Sequence, residues 1–273
     1  MISSVSNSKV KRLVLLVRKA KHRKEEGVFV IEGVRMFLEA PPDWIREVYV
    51  SESFLKKYEK ETDIQIKEAL GRRRYEVLAD GIFNKVSDTQ TPQGVLCVLS
   101  MPTYTLENSI EEWMDSKEKT PLIMLLEDLQ DPGNLGTIVR TSEGAGVSGI
   151  VMTSKTADIF NPKVIRSTMG SIYRVPFFIV EELAETISLL QKRHIGVYAA
   201  HLDDSVDYDR PDYTQPTAFL IGNESSGLKQ QTAKCATQYI KIPMQGQVES
   251  LNAAIAASVL MYEAARQRRT QNI

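Results

Sequence analysis

The residues of this 273-residue chain whose types and spacing could do chemistry fall in three stretches. In "EDLQDPGNLGTIVRT", residues 127 to 141, an apolar run gives way to a glycine-containing turn, and Asn134 and Arg140 stand on the helix that follows. The plain account is a βα turn in which Asn134 caps the helix and Arg140 lies on its wet face. In "FLIGNESSGL" a buried strand ends at Gly222, and Asn223, Glu224, two serines and Gly227 turn the chain into a helix. Glycine lets a ligand approach the backbone and free amides at a helix start donate hydrogen bonds, so such a loop can hold a nucleotide-like group. It is not a dinucleotide fingerprint, because "GNESSG" lacks the G-x-G-x-x-G spacing. The third stretch, "IKIPMQGQVESLNAAIA", breaks a strand at Pro243, loops through Gly246 and sets Ser250 and Asn252 at a helix start. Ser250 reads as the N-cap, which leaves Asn252 without a purpose.

Hydrophobic periodicity supplies the elements that must position these residues. Residues 1–103 alternate the strand-like "VFVIEG", "REVYVS", "YEVLAD" and "GVLCVLS" with the helix-like "VRMFLEA" and "ESFLKKYEKE", a small α/β unit. The polar 104–120 reads as a linker with at most one short helix, around Ile110 to Met114. From residue 121 to 273 the alternation restarts with "LIMLLED", "GIVMT", "PFFIV", "IGVYAA", "TAFLIG" and "QYIKIPM" as strands. Helices are expected near 134–146, 161–170, 181–192 and 225–235. Continuously apolar strands separated by helices imply a mostly parallel sheet covered on both faces. A long closing helix follows, in which Leu251, Ile255, Ser258, Tyr262 and Ala265 form a stripe that must bury against something.

The composition, 42% hydrophobic with a net charge of −1, is that of a globular protein. No apolar run approaches the ~18 residues of a membrane span, and "MISSVSNSKVKR" lacks a signal peptide's apolar core, so a cytoplasmic protein with no membrane association is expected. Cys97 and Cys235 have no second cysteine or histidine at metal-ligand spacing, which predicts buried structural thiols and no metal site. His22, His194 and His201 are scattered, and none is expected to bind metal or move protons. Lys9, Lys11, Arg12, Arg18, Lys19, Lys21, Arg23 and Lys24 crowd one stretch opposed only by Glu25 and Glu26. Such a run suits a polyanion such as RNA, or a solvated helix face, and Val10, Leu13, Val14 and Val17 give it a docking stripe.

In this order and at these distances, the three stretches resemble the three motifs of the SpoU (TrmH-like) RNA 2′-O-ribose methyltransferases of the SPOUT superfamily. The matching segments are "DPGNLGTIVRTSEGAG", "FLIGNESSGL" and "IPMQGQVESLNAAIAASVLMYEA". The first half is similar to the ribosomal-protein-like RNA-binding domain many of these enzymes carry, through "FVIEGVRMFLEA" and "KVSDTQTPQGVLCVL". The resemblance implies a C-terminal α/β SPOUT domain with a mostly parallel sheet and a deep trefoil knot, preceded by that small α/β domain. It implies S-adenosyl-L-methionine as cofactor, held at Ala200, Gly222, Ile242 and Leu251, and a homodimer formed through the C-terminal domain.

By motif position, Asn134 and Arg140 lie beside the ribose and its phosphate, Glu224 is the acid of the second motif, and Ser250 and Asn252 are the polar pair of the third. These five are the expected catalytic residues. The family's usual mechanism makes Arg140 the general base, yet arginine is effectively never deprotonated in proteins. Both a basic and a positioning role therefore stand. RNA contacts are expected from Lys19, Lys21, Arg23, Arg72 and Arg166, with Arg73 and Arg74 adding charge beside Arg72. The implied activity is ribose 2′-O-methylation of RNA. Large-subunit ribosomal RNA is favoured over transfer RNA, because a separate recruiting domain resembles the ribosomal-RNA branch. Two rivals remain: an RNA-binding or ribosome-assembly module without chemistry, against which the presence of all five residues speaks, and a doubly wound nucleotide-dependent enzyme, which lacks its glycine fingerprint.

Overall fold

Short apolar runs punctuated by turns form two separate sheets in the computed structural model, which describes residues 1–60, 64–116 and 118–271. Glu61, which closes the expected "ESFLKKYEKE" helix, lies outside the described residues. The chain divides into two units: Met1–Thr103 with Asp158–Tyr173, and Tyr104–Ala157 with the chain from Arg174 onward.

In the first unit, the Asn7 side chain accepts a hydrogen bond from the Lys9 amide and so caps helix α1, Ser8–Arg18. The buried stripe of α1 is Val10, Leu13, Leu16 and Val17, with Val14 only half-buried. Helix α2, Ala20–Glu26, stops at Gly27, whose positive φ of 63° suits glycine. A four-stranded sheet follows from β1 (Val28–Glu32), β2 (Ile45–Ser51), β3 (Glu76–Leu78) and β4 (Val95–Ser100), in the order β1-β4-β2-β3. Only the β2–β3 pair is parallel. Helices α3 (Val34–Glu39), α4 (Glu52–Lys60), α5 (Ile64–Gly71) and α6 (Asp80–Val86) complete the alternation. Leu13, Val17, Val30, Tyr49, Phe83 and Leu96 meet in one core.

Residues 104–120, expected as a linker, carry helix α7, Leu106–Asp115, longer than the predicted turn of helix. Ile110 on α7 is buried in the second unit's core, an attachment that polar composition did not reveal. There the strands are β5 (Leu122–Leu126), β6 (Gly149–Thr153), β7 (Phe177–Val180), β8 (Gly196–Ala200), β9 (Val206–Asp207), β10 (Thr217–Ile221) and β11 (Gln238–Lys241). They form a seven-stranded, wholly parallel sheet in the order β7-β6-β5-β10-β8-β11-β9. Six of these strands were legible; the two-residue β9 has too few residues to show a pattern. Strands β5, β6 and β10 are buried at every position, the consequence of cover on both faces.

The helices are α8 (Pro132–Ala145), α9 (Pro162–Thr168), α10 (Leu183–Lys192), α11 (Gln230–Ala233) and α12 (Ala253–Gln271). Of these, α9 groups with the first unit although it was expected within 121–273. Helix α11 is far shorter than the predicted 225–235, because residues 223 to 227 close on themselves instead of winding. The α12 stripe is also corrected. Ala254, Ala257, Leu260, Met261 and Ala264 are its buried residues, whereas Ile255 and Tyr262 of the predicted stripe are 50% and 47% exposed. Small alanines let α12 approach α8 closely: the Ser142 hydroxyl reaches the Met261 sulfur, and the Ser258 hydroxyl lies 3.4 Å from that of Thr141. Cys97 is buried, and burial pushes its thiol up. Cys235 is only half-buried, contrary to expectation, since it lies just past the abbreviated α11.

Candidate active site

Helix α8 begins where Asp131, not Asn134, accepts the hydrogen bond of a helix-start amide: the Asn134 N–H donates to Asp131 Oδ1 at 2.8 Å. Asp-Pro, with proline at the first helical position, is the sequence signal for this cap. Relieved of capping, the Asn134 side chain bridges two other segments. Its Nδ2 donates to Glu224 Oε1 at 3.0 Å, and its Oδ1 accepts from Asn252 Nδ2 at 2.9 Å. Glu224 also accepts from the Gln130 and Asp131 amides, both at 2.9 Å. Partial burial pushes the Glu224 carboxyl up, but these donors outweigh it and hold the group below its usual range. Its oxygens are therefore engaged by α8 and the turn before it, where a negative charge also complements the helix dipole. That engagement argues for positioning rather than proton transfer.

The third stretch also changes its assignments. Asn252 Oδ1 accepts from the Ala254 and Ile255 amides at 2.9 and 3.3 Å, so Asn252 is the α12 cap. Ser250, expected as the cap, is exposed and makes no side-chain hydrogen bond among the described residues. Arg140 is exposed on α8 with no ion-pair partner among the described residues. Asn134, Glu224 and Asn252 thus form one hydrogen-bonded chain, and Arg140 stands further along the same helix as Asn134.

The "GNESSG" loop owes its shape to Asn223 and Gly227, whose backbones exchange two 3.0 Å hydrogen bonds. Asn223 Oδ1 collects the Ser225 and Ser226 amides, and its Nδ2 donates to the Asp128 carbonyl at 2.8 Å. A Cβ on Gly222 would come within 2.3 Å of the Gly227 carbonyl carbon, so only glycine fits.

Beneath the loop lies a cluster that the motif reading missed. Asp128 has a positive φ of 52° and is held by Thr153 at 2.8 Å and Lys229 Nζ at 2.9 Å. Burial raises its carboxyl, yet these two partners more than offset that and keep it low. Glu127, 1% exposed, accepts from the Lys229 amide and the Thr232 hydroxyl, tying the end of β5 to the start of α11. The available signal was an acidic pair closing a fully apolar strand, which demands buried partners.

Beyond the carboxyl ends of the adjacent strands β8, β10 and β11 opens a cavity of about 450 Å³. Ala200, Gly222, Ile242 and Leu251 all line it, as do Glu224 and Ser250. His201, given no role from the sequence, also lines it, with its ring 4.8 Å from that of Tyr239 and its Nδ1 accepting the Asp203 amide. Met244 and Leu260 add apolar surface. Among the described residues no cluster could hold a metal ion, and no helix is long and apolar enough to cross a membrane.

The expected RNA contacts fare unequally. Lys19 and Lys21 are exposed, Lys21 lying 3.8 Å from Glu25. Arg23 is not available: it is 3% exposed, donates to the Leu16 and Val17 carbonyls and pairs with Asp158. The α1–α2 bend turns this one member of the basic run inward. Arg72 pairs with Glu68 at 3.2 Å, and Arg166 with Asp88 at 2.8 Å, both within the first unit.

Fold and site together define an α/β protein whose ligand cleft lies past the carboxyl ends of adjacent parallel strands. The family model described as SpoU rRNA Methylase family matches residues 121–262, and that described as MRM3-like substrate binding domain matches residues 7–97. The chain belongs to the SpoU rRNA methylase family. It is 32% identical over 263 residues to the 23S rRNA (guanosine(2553)-2'-O)-methyltransferase RlmP of Bacillus subtilis (strain 168), a match covering 96% of this chain and 97% of that one. Among solved structures, the AdoMet-bound rRNA methyltransferase from Sinorhizobium meliloti superposes with a TM-score of 0.80 at 30% identity, covering 97% of each chain. The SpoU methyltransferase AviRb from Streptomyces viridochromogenes, in complex with AdoMet, gives 0.82 at 27% identity, covering 97% of this chain and all of that one.

Proposed function

We propose that this protein is an S-adenosyl-L-methionine-dependent RNA ribose 2′-O-methyltransferase acting on large-subunit ribosomal RNA. The observation that carries the reading is the Glu224–Asn134–Asn252 hydrogen-bonded chain, which joins all three motifs beside the strand-end cavity. The cavity fits the cofactor in kind: its volume lies in the range of small-molecule sites, and its lining mixes apolar side chains with loop backbone. Ala200, Gly222, Ile242 and Leu251 would hold it. When bound, S-adenosyl-L-methionine supplies a methyl group on a sulfonium, open to in-line displacement by a ribose 2′-oxygen.

Arg140, exposed and without an internal partner among the described residues, grips the phosphate beside the target ribose and stabilises charge developing on the 2′-oxygen. Asn134 and Asn252 orient that end of the site, while Glu224 fixes Asn134 in place. Ser250, whose hydroxyl has no hydrogen bond among the described residues, completes the polar rim. The substrate class rests on the Bacillus subtilis relative, a 23S rRNA enzyme matched over 97% of its length, and on the match of the first unit to a substrate-binding domain. The trefoil knot is a property of the family fold, and what supports it here is the match of residues 121–262 to the SpoU rRNA Methylase family. A homodimer is supported by Ile255 and Tyr262, large apolar side chains exposed along α12. A cytoplasmic location accords with an RNA substrate.

The test is transfer of labelled methyl from S-adenosyl-L-methionine to ribosomal RNA and, in parallel, to transfer RNA, followed by nucleoside analysis. A 2′-O-methyl nucleoside in ribosomal RNA, lost in Arg140→Ala, is the expected result. Label confined to transfer RNA would overturn the substrate, and no cofactor binding at all would overturn the activity.

A further inference from the structure

The first unit carries an open groove of about 850 Å³ that none of the motifs explains. It is lined by Arg72, Arg73 and Arg74 at and after the end of α5, by Arg46 on β2, and by Pro41 and Pro42. Two carboxylates, Glu39 and Glu68, also line the groove, and each has an arginine partner: Arg35 at 2.7 Å and Arg72 at 3.2 Å. The other three guanidiniums have no carboxylate partner among the described residues. Arg46 Nε donates to the Ser100 hydroxyl, and Arg73 Nη1 reaches the Ala69 carbonyl at 3.3 Å. Arg74 is exposed with neither kind of contact among the described residues. A chain of near-neutral net charge that concentrates unneutralised arginines around one concavity has built a local positive potential there.

We propose that this groove binds the phosphodiester backbone of a single-stranded RNA segment, with Arg46, Arg73 and Arg74 on the phosphates and its apolar lining, Pro41 and Pro42 included, against sugar or base. The proposal rests on the reading that the protein acts on RNA, and it assigns a face through which the first unit holds it. Guanidinium groups suit the task because each presents paired donors that match a phosphate's oxygens. Flat apolar surface between cations accepts the faces of unpaired bases without reading their sequence. Binding here would strengthen recruitment without selecting the nucleotide to be modified.

The test uses the full chain and a short fluorescein-labelled single-stranded RNA of mixed sequence, with affinity measured across a salt series. Arg73→Gln combined with Arg74→Gln is expected to weaken binding and to lower the slope of log affinity against log salt by about 1.4, roughly 0.7 for each phosphate left without its guanidinium. Lys192→Gln combined with Lys234→Gln, which removes the same charge from exposed sites on the second unit, should leave the slope unchanged. An unchanged slope in the arginine pair overturns the proposal, as does an equal fall in both pairs, which would reflect net charge alone. S-adenosyl-L-methionine titration of the same proteins keeps the two readings apart. Failure of the wild type to bind cofactor counts against the methyltransferase assignment, whereas intact cofactor binding with an unaltered salt slope counts against the groove.

Discussion

Replacing Glu224 by glutamine keeps the shape of the side chain and removes its charge and one acceptor oxygen. The carboxylate accepts from two backbone amides at 2.9 Å and from Asn134 at 3.0 Å. A glutamine amide group can meet these donors with only one oxygen, and its NH₂ would face a donor. A hydrogen bond to a charged group contributes about 1.5–3 kcal/mol, and the charge at a helix start about 0.3–1 kcal/mol. Residue 224 is exposed, so solvent screening places the sum toward the low end, about 2 kcal/mol.

With a urea dependence of about 2 kcal/mol per molar, the unfolding midpoint should fall by about 1 M. The acid side supplies a second check. The folded carboxyl titrates below its usual value of 4.5, so its stabilisation is fully present above that value and is lost as pH falls through the folded value. The gap between wild type and Glu224→Gln should therefore be constant near neutrality and narrow below about pH 4.5. Urea unfolding followed by circular dichroism at neutral and acidic pH measures both. Equal midpoints at neutral pH, or a gap that widens in acid, would refute the reasoning.

Asn252→Ala removes the α12 cap and should cost about 1 kcal/mol, whereas Ser250→Ala should stay within about 0.5 kcal/mol while reducing methyl transfer; thermal unfolding set beside an activity assay separates the two. Gly222→Ala drives a Cβ into the Gly227 backbone, and a loss of about 3 kcal/mol together with lost cofactor binding is expected by calorimetry. Arg140→Ala should lower kcat roughly 100- to 1000-fold with no change in unfolding midpoint, because the side chain has no internal partner among the described residues. A simultaneous fall in stability would show that Arg140 is structural.

The repeating strand–helix pattern was legible because burial on both sheet faces forces continuous apolar runs, as in "LIMLL" and "TAFLI". The three motifs were legible as separate turns. What the chain could not disclose was the exchange of roles among polar residues whose capping potential is alike. Asp131 and Asn134 both suit a helix start, as do Ser250 and Asn252, and the choice is made by Asn134 and Asn252 bonding to each other across 118 positions of sequence. Arg23 was lost to the RNA reading for the same kind of reason, since its partner Asp158 lies 135 positions away. The stripe on α12 was misplaced because alanines, weak in a hydrophobic pattern, form the closest face against α8.

Helix α12 is fastened at both ends. Asn252 joins it to α8, and Arg268 donates to the carbonyls of Thr120, Pro121, Tyr213 and Gln215, at or just before the starts of β5 and β10. Every one of these partners is made earlier in synthesis than the helix itself. While the chain is still growing, β5 and α8 exist without the residues that complete their polar contacts, and contacts between such distant segments are the slow ones to form. The Asn134–Asn252 link can close only once α12 has emerged, so the hydrogen-bonded chain through Glu224, Asn134 and Asn252 is among the last features to be assembled.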